Sequence, residues 1–214
     1  MRALREIRGL KYPDEFVVRH LFKRGLSERT GRVLELGSGT GNNLALYLAW
    51  DWTCTGVDYD EGALADARFN LGDGPTLIQA DLSKGPPTLE GPFEALIIPN
   101  LLCYLTAAEA DALLIGLRPY LAPGCEVFVR TRMTDDYRYG RGTEEEPHGY
   151  RLATPETGEA GLFNLFYTPD TLVERLVRTL GLTHPTVLTC RFDNVQAGQP
   201  IANNSDVIVW GALA

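Results

Sequence analysis

The chain has 214 residues, 44% of them apolar, which is enough material for one domain with a sizeable core. A formal net charge of −8 argues against a nucleic-acid substrate, which needs a basic footprint, and no apolar run approaches the roughly eighteen residues of a membrane span. Cys54, Cys103, Cys125 and Cys190 are isolated in apolar segments, so they read as free thiols of a reducing, cytoplasmic compartment and as neither a disulfide framework nor a zinc site.

The basic start, Met1 to Lys11, lacks the apolar region and cleavage site of a secretory signal. Asp14 to Leu26 reads as a helix, with Val17, Val18, Leu21 and Phe22 on one face and Arg19, Lys23 and Arg24 on the other. His20 lies at the edge of that stripe, in a surface or packing role. Tyr12, just before the helix, either anchors its start or touches a ligand pocket.

Arg32-Val33-Leu34-Glu35-Leu36 is a near-continuous apolar run, as expected for a parallel strand covered on both faces. Gly37, Gly39 and Gly41 then let the backbone turn sharply and approach a ligand closely. Leu44 to Ala49 continues as helix, whose first N–H groups can face an anion or carboxylate. The dinucleotide fingerprint G-x-G-x-x-G is not met, because Asn42 stands where its third glycine belongs. Glu35, at the strand's carboxyl end, suits a cationic group such as an amino-acid ammonium and would repel a pyrophosphate.

E-L-G-S-G-T-G, residues 35–41, resembles motif I of the class I S-adenosylmethionine-dependent methyltransferases. The resemblance implies a glycine loop wrapped around the methionine part of S-adenosyl-L-methionine, with Glu35, Gly37, Ser38, Gly39, Thr40, Gly41 and Asn42 at the cofactor. It also implies an α/β fold: a doubly wound, mostly parallel, seven-stranded Rossmann-like sheet of order 3-2-1-4-5-7-6, its last strand antiparallel.

Thr53 to Asp58 is the second strand, and Asp58 lies about twenty residues past the glycine loop, where a carboxylate takes both hydroxyls of a ribose. Tyr59 is placed to lie along the adenine or ribose, and Asp60 reads as a helix N-cap. Thr76 to Leu82 is the third strand, ending in Asp81. It resembles the family's motif III, which implies that Asp81 meets the adenine amine and that the backbone N–H of Leu82 meets a ring nitrogen. Phe93 to Asn100 is the fourth strand, and Asn100 reaches the same sheet edge, where open α/β sheets bind ligands. This segment resembles motif IV, but Pro99-Asn100-Leu101-Leu102 departs from the Asn/Asp-Pro-Pro-aromatic quartet of nucleobase amino-methylating enzymes. Tyr104 either lines an acceptor pocket or packs. Thr106 and Glu109 form a capping-box pattern opening a helix to about Arg118.

After a turn at Leu121 to Gly124, Cys125 to Arg130 is the fifth strand. Residues 132–166 are too long for an ordinary connection and read as an acceptor-binding lid, with a hairpin turned at Thr157-Gly158-Glu159. Within it Asp135, Asp136, Tyr137, Tyr139 and His148 are candidates for a general base, each more often a surface or packing residue. Arg132, Tyr137 and Tyr139, with Tyr12 and Tyr104, are candidates for acceptor contact. Thr168-Pro169-Asp170 caps a helix that stops at Gly181. Thr186 to Phe192 and Asp206 to Ala212 are two final strands, paired antiparallel around a polar connection.

Three scattered histidines offer no metal set, and Leu36 stands where a nucleophile elbow needs glycine. The expected activity is methyl transfer to an O or N nucleophile of a small molecule. An NAD(P)-dependent oxidoreductase and a methyltransferase-like module without turnover are the alternatives.

Overall fold

The computed structural model describes residues 4–156, 158–196 and 198–214; Thr157 of the expected hairpin turn lies outside them, as do the first three residues and Ala197. Seven strands form one sheet: β1 (Arg32–Leu36), β2 (Thr53–Asp58), β3 (Thr76–Gln79), β4 (Phe93–Pro99), β5 (Leu121–Arg132), β9 (Leu182–Gln196) and β10 (Gln199–Leu213). Three more, β6 (Gly142–Glu146), β7 (Gly149–Leu152) and β8 (Phe163–Leu165), form a separate antiparallel sheet. The main order, β3-β2-β1-β4-β5-β10-β9, is the expected 3-2-1-4-5-7-6 once the small sheet is set aside. β1 pairs parallel with β2 and β4, β4 with β5, and β10 runs antiparallel to both β5 and β9.

The continuous apolar strands serve two cores at once. Leu34, Leu36, Leu96, Ile98, Val127 and Val129 pack into one cluster with the helices α4 (Ala107–Leu117) and α5 (Pro169–Leu180). Their neighbours Val33, Ala95, Ile97 and Phe128 pack into the other, with α1 (Glu15–Lys23) and α2 (Asn42–Leu48). Successive side chains point to opposite faces, so a strand covered on both sides has no polar positions to alternate with. α3 (Glu61–Leu71) follows β2 and is capped by Asp60, whose Oδ1 accepts from Gly62 and Ala63. The capping box Thr106–Glu109 forms, and α5 starts at Thr168-Pro169 and ends on left-handed Gly181.

Several boundaries differ from expectation. α1 stops at Lys23, and its buried stripe is Phe16, Val17, His20 and Leu21. Phe22 points outward, 51% exposed, where its ring meets Trp50 edge-on. His20 is completely buried against Phe128 and Trp210, so its role is packing and not surface. β3 ends at Gln79, and Asp81 lies beyond it as the cap of a 3-10 turn over Leu82–Lys84. The expected turn at Leu121 to Gly124 belongs to β5, as an irregularity between the pairs Phe93–Leu121 and Ala95–Glu126. The polar connection between the last two strands is itself paired, from Leu213–Leu182 out to Gln199–Gln196, because the backbone ladder is indifferent to side-chain polarity. The three strands β6, β7 and β8 all lie within 132–166, and Tyr150–Asn164 and Arg151–Phe163 pair antiparallel as expected for its hairpin. The 142–152 hairpin, turned at Pro147-His148, was not anticipated. No described helix is long and apolar enough to cross a membrane.

Candidate functional site

The carboxyl ends of β1, β2 and β4 meet at one rim of the sheet. There Gly37, Gly39 and Gly41 all have positive φ (71°, 50° and 82°), a region costly to residues with a Cβ. The loop is tied to β2: Gly37 and Ser38 donate to Val57 O at 2.8 and 3.1 Å, and Gly39 N–H donates to Asp58 Oδ2 at 2.7 Å. Asp58 Oδ1 accepts from Asp60 N–H at 2.9 Å, so each oxygen accepts one backbone donor and retains a further lone pair.

Three adjoining cavities open around this rim. One of about 370 Å³ is lined by Asp58, Tyr59, Ala80, Asp81, Leu82, Ser83 and Tyr104 among others. A second, of about 650 Å³, is lined by Glu35, the loop residues Gly37, Ser38, Gly39 and Thr40, then Asn42, Asn43, Tyr12 and Asp14 among others. Gly37, Pro99 and Asn100 belong to both. The third, of about 420 Å³, lies beyond Asn100 and Tyr104 and is lined by Arg130, Arg132, Arg138, Glu159 and Asp206 among others. Asn100, held in the left-handed region at φ 55°, is common to all three.

Glu35 is the unusual group of the second cavity. It is 1% exposed, its Oε1 accepts from Asn43 Nδ2 at 2.7 Å, and its Oε2 has no partner. Burial pushes its carboxyl up to about 8, against the Asn43 hydrogen bond and the nearby Leu44 backbone N–H and with help from the charges of Asp58 and Asp14. A buried carboxyl oxygen without a partner is costly, and a cation in the cavity would both satisfy it and favour its ionised form. The leading segment closes over this cavity. Asn42 Nδ2 donates to Tyr12 O at 3.0 Å, and Asp14 N–H donates to Asn43 Oδ1 at 2.8 Å. Gly9 rests so close to Thr40 that a Cβ there would come within 2.5 Å of its methyl.

The third cavity is walled by ion pairs. Arg130 binds Asp14 Oδ2 at 2.6 Å and Asp206 Oδ2 at 2.5 Å. Arg132 binds Glu159 at 2.5 Å and also Tyr104 Oη and Asn164. Arg138 binds Asp136 at 2.7 Å and Glu159 at 2.9 Å. Tyr104 Oη donates to Glu159 Oε1 at 3.0 Å, and burial raises its hydroxyl pKa well above the ordinary phenol range. Glu146 Oε1 accepts from Ala107 N–H at 2.8 Å, so the small sheet also rests on the start of α4.

Of the twelve sequence candidates for the cofactor, all but Gly41 line the first two cavities; Gly41 stands behind them, packed on Leu71. Tyr12, Tyr104 and Arg132 line cavities as well. Asp135, Asp136, Tyr137, Tyr139 and His148 line none of the three. Asp135 pairs with Arg191 and Ser205, and Asp136 is buried on Arg138. The Tyr137 ring lies under Arg138, and Tyr139 Oη meets His148 Nδ1 at 2.7 Å among Tyr150 and Phe166. Asn43, Asp14, Arg130, Glu159 and Asp206 were missed. The one local signal was Arg130 and Arg132, two apart at the carboxyl end of a strand and therefore on one face.

Residues 33–124 match the family model described as a methyltransferase domain. No curated protein matches the sequence. Among solved structures, an S-adenosylmethionine-dependent methyltransferase from Methanosarcina mazei is 16% identical, covering 95% of this chain and 100% of its own, with a TM-score of 0.65. A structure solved for the conversion of a disulfide bond into a thioacetal group during echinomycin biosynthesis is 19% identical, covering 94% and 82%, with a TM-score of 0.67. A glycopeptide N-methyltransferase complexed with S-adenosyl-L-methionine is 22% identical, covering 91% and 87%, with a TM-score of 0.58. At such identities the likeness is one of fold. Residues 33–124 are thus similar to a methyltransferase domain, and the chain as a whole has the fold of the class I S-adenosylmethionine-dependent methyltransferases.

Proposed function

We propose that this chain is an S-adenosylmethionine-dependent methyltransferase acting on an N or O nucleophile of a small-molecule acceptor. The observation that carries the reading is Glu35: a buried carboxyl group with an unpartnered oxygen, lining a cavity that continues through Gly37 and Asn100 to Asp58. In this reading Glu35 takes the ammonium end of the cofactor, Asp58 the ribose hydroxyls, and Asp81, the Leu82 N–H and Tyr59 the adenine. The bound cofactor supplies a methyl group already activated on a sulfonium. The chain's own residues bind, orient and exclude water, holding the acceptor at near-attack distance.

The acceptor is assigned to the third cavity, with 132–166 as its lid within a single domain. A volume of about 420 Å³ supports a small molecule. The four free cysteines support a reducing compartment such as the cytoplasm. The oxidoreductase alternative meets two obstacles: Asn42 replaces the third glycine, and Glu35 would repel a pyrophosphate.

Calorimetric titration with S-adenosylhomocysteine, NAD and NADP tests the reading. Binding of S-adenosylhomocysteine alone is expected; binding of a nicotinamide nucleotide instead would overturn it. A methyltransferase-like module without turnover would bind S-adenosylhomocysteine yet release no label from methyl-labelled cofactor in the presence of pooled metabolites.

A further inference from the structure

Three guanidiniums line the third cavity, which at first sight suits an anionic acceptor. Each is already engaged: Arg130 by Asp14 and Asp206, Arg132 by Glu159, Arg138 by Asp136 and Glu159. Among the described residues the pairs fall into two sets: Arg132 and Arg138 balance Glu159 and Asp136, while Arg130 alone faces both Asp14 and Asp206. The uncompensated charge has a definite place. Both hydrogen bonds from Arg130 to Asp206 end on Oδ2, leaving Oδ1 without a protein donor, on a side chain only 9% exposed and lining the cavity.

We infer that the acceptor is an amine, held by Asp206 Oδ1 beside Asn100. This rests on the methyltransferase reading and narrows it to N-methylation. An ammonium or amine N–H gives Asp206 its missing donor and an ammonium balances the Arg130 set; a carboxylate or phosphate would add a second excess negative charge there. The chemistry points the same way. An acceptor held as an ammonium first gives one proton to solvent; the neutral amine then forms an N–C bond from its lone pair while the C–S bond breaks with its electrons staying on sulfur. The positive charge thus moves to nitrogen, next to Asp206, and an N–H proton then leaves to solvent. A carboxylate at that spot favours the charge distribution that develops. For an alcohol it would instead oppose the alkoxide character that O-methylation needs. Phe192, 39% exposed and the one fully apolar side chain among the described lining residues, offers a ring face for the acceptor's carbon skeleton.

The test uses one skeleton with three head groups. Phenethylamine, 2-phenylethanol and phenylacetate are titrated calorimetrically into the complex with S-adenosylhomocysteine. The amine is expected to bind at least tenfold more tightly than either other probe, and Asp206→Asn is expected to lower its affinity about tenfold while S-adenosylhomocysteine still binds. Phenylacetate or 2-phenylethanol binding as tightly as the amine, or none of the three binding, would overturn the inference. The wild-type comparison stands even if Asp206→Asn fails to fold. Failure of S-adenosylhomocysteine to bind would be read separately, as failure of the methyltransferase assignment.

Discussion

Asp58 Oδ2 accepts the backbone N–H of Gly39 at 2.7 Å, so the carboxylate at the end of β2 also holds the glycine loop that follows β1. The same side chain that is proposed for the ribose therefore also shapes the loop proposed for the methionine part of the cofactor. Asp58→Ala is expected to weaken S-adenosylhomocysteine binding by about 1.5–3 kcal/mol, the range for hydrogen bonds to a charged group. Calorimetry on a variant shown to be folded by circular dichroism checks this; unchanged affinity would detach Asp58 from the ribose.

Glu35 makes the site sensitive to pH. Its carboxyl is raised from 4.5 to about 8, so between those values the folded chain holds a proton that the unfolded chain does not. Stability from this group accordingly falls as pH rises through that window. A bound ammonium favours the charged carboxylate, so ligand binding at pH 7 should expel a proton, and affinity should rise towards pH 8. Titrations of S-adenosylhomocysteine in phosphate and in Tris at pH 7 are expected to give different heats for the wild type. Glu35→Gln should bring the two heats closer together; equal heats for the wild type would contradict the contact.

His20 works in the opposite sense. Burial, with Arg24 nearby, lowers its pKa from 6.5 to about 3, and neither ring nitrogen has a partner. The unfolded chain takes up a proton below 6.5 that the folded chain refuses, so stability is lost as pH falls from there towards 3. His20→Leu removes both the unsatisfied nitrogens and that uptake. Urea unfolding at pH 5 should show the variant more stable by about 1–3 kcal/mol, with a smaller gain at pH 7.5.

Glu159 joins the lid to β5 by accepting from Arg132, Arg138 and Tyr104. Glu159→Gln leaves two mostly buried guanidiniums short of a carboxylate, a local cost of up to about 3 kcal/mol. Hydrogen exchange is expected to accelerate across Gly142–Glu146 and Phe163–Leu165, with the amides of β1 and β4 unchanged.

What the sequence disclosed and what it hid follow physical lines. Local signals sufficed for the strand–glycine–helix unit at 32–48, the acid closing β2, both capping residues Thr106 and Thr168, and the αL stop at Gly181. The sheet order came with the family resemblance. Hidden features depend on partners far along the chain. Arg130 meets Asp14 across 116 positions, and Arg138 meets Glu159 only because the lid folds back. The α1 face was misassigned by one position, since Phe22 looks as apolar as Phe16 until the ring of Phe128 selects His20. The polar ends of β9 and β10 carry no strand pattern because the ladder there is fixed by backbone pairing and by contacts such as Asn203 with Asp135.

A crystal structure with S-adenosylhomocysteine tests the central claim most directly. The account predicts the ligand's ammonium at Glu35 Oε2, its ribose hydroxyls on Asp58, and its purine between Tyr59 and Leu82 with the amine at Asp81. A ligand lying elsewhere, or one leaving Glu35 Oε2 without a donor, would contradict it.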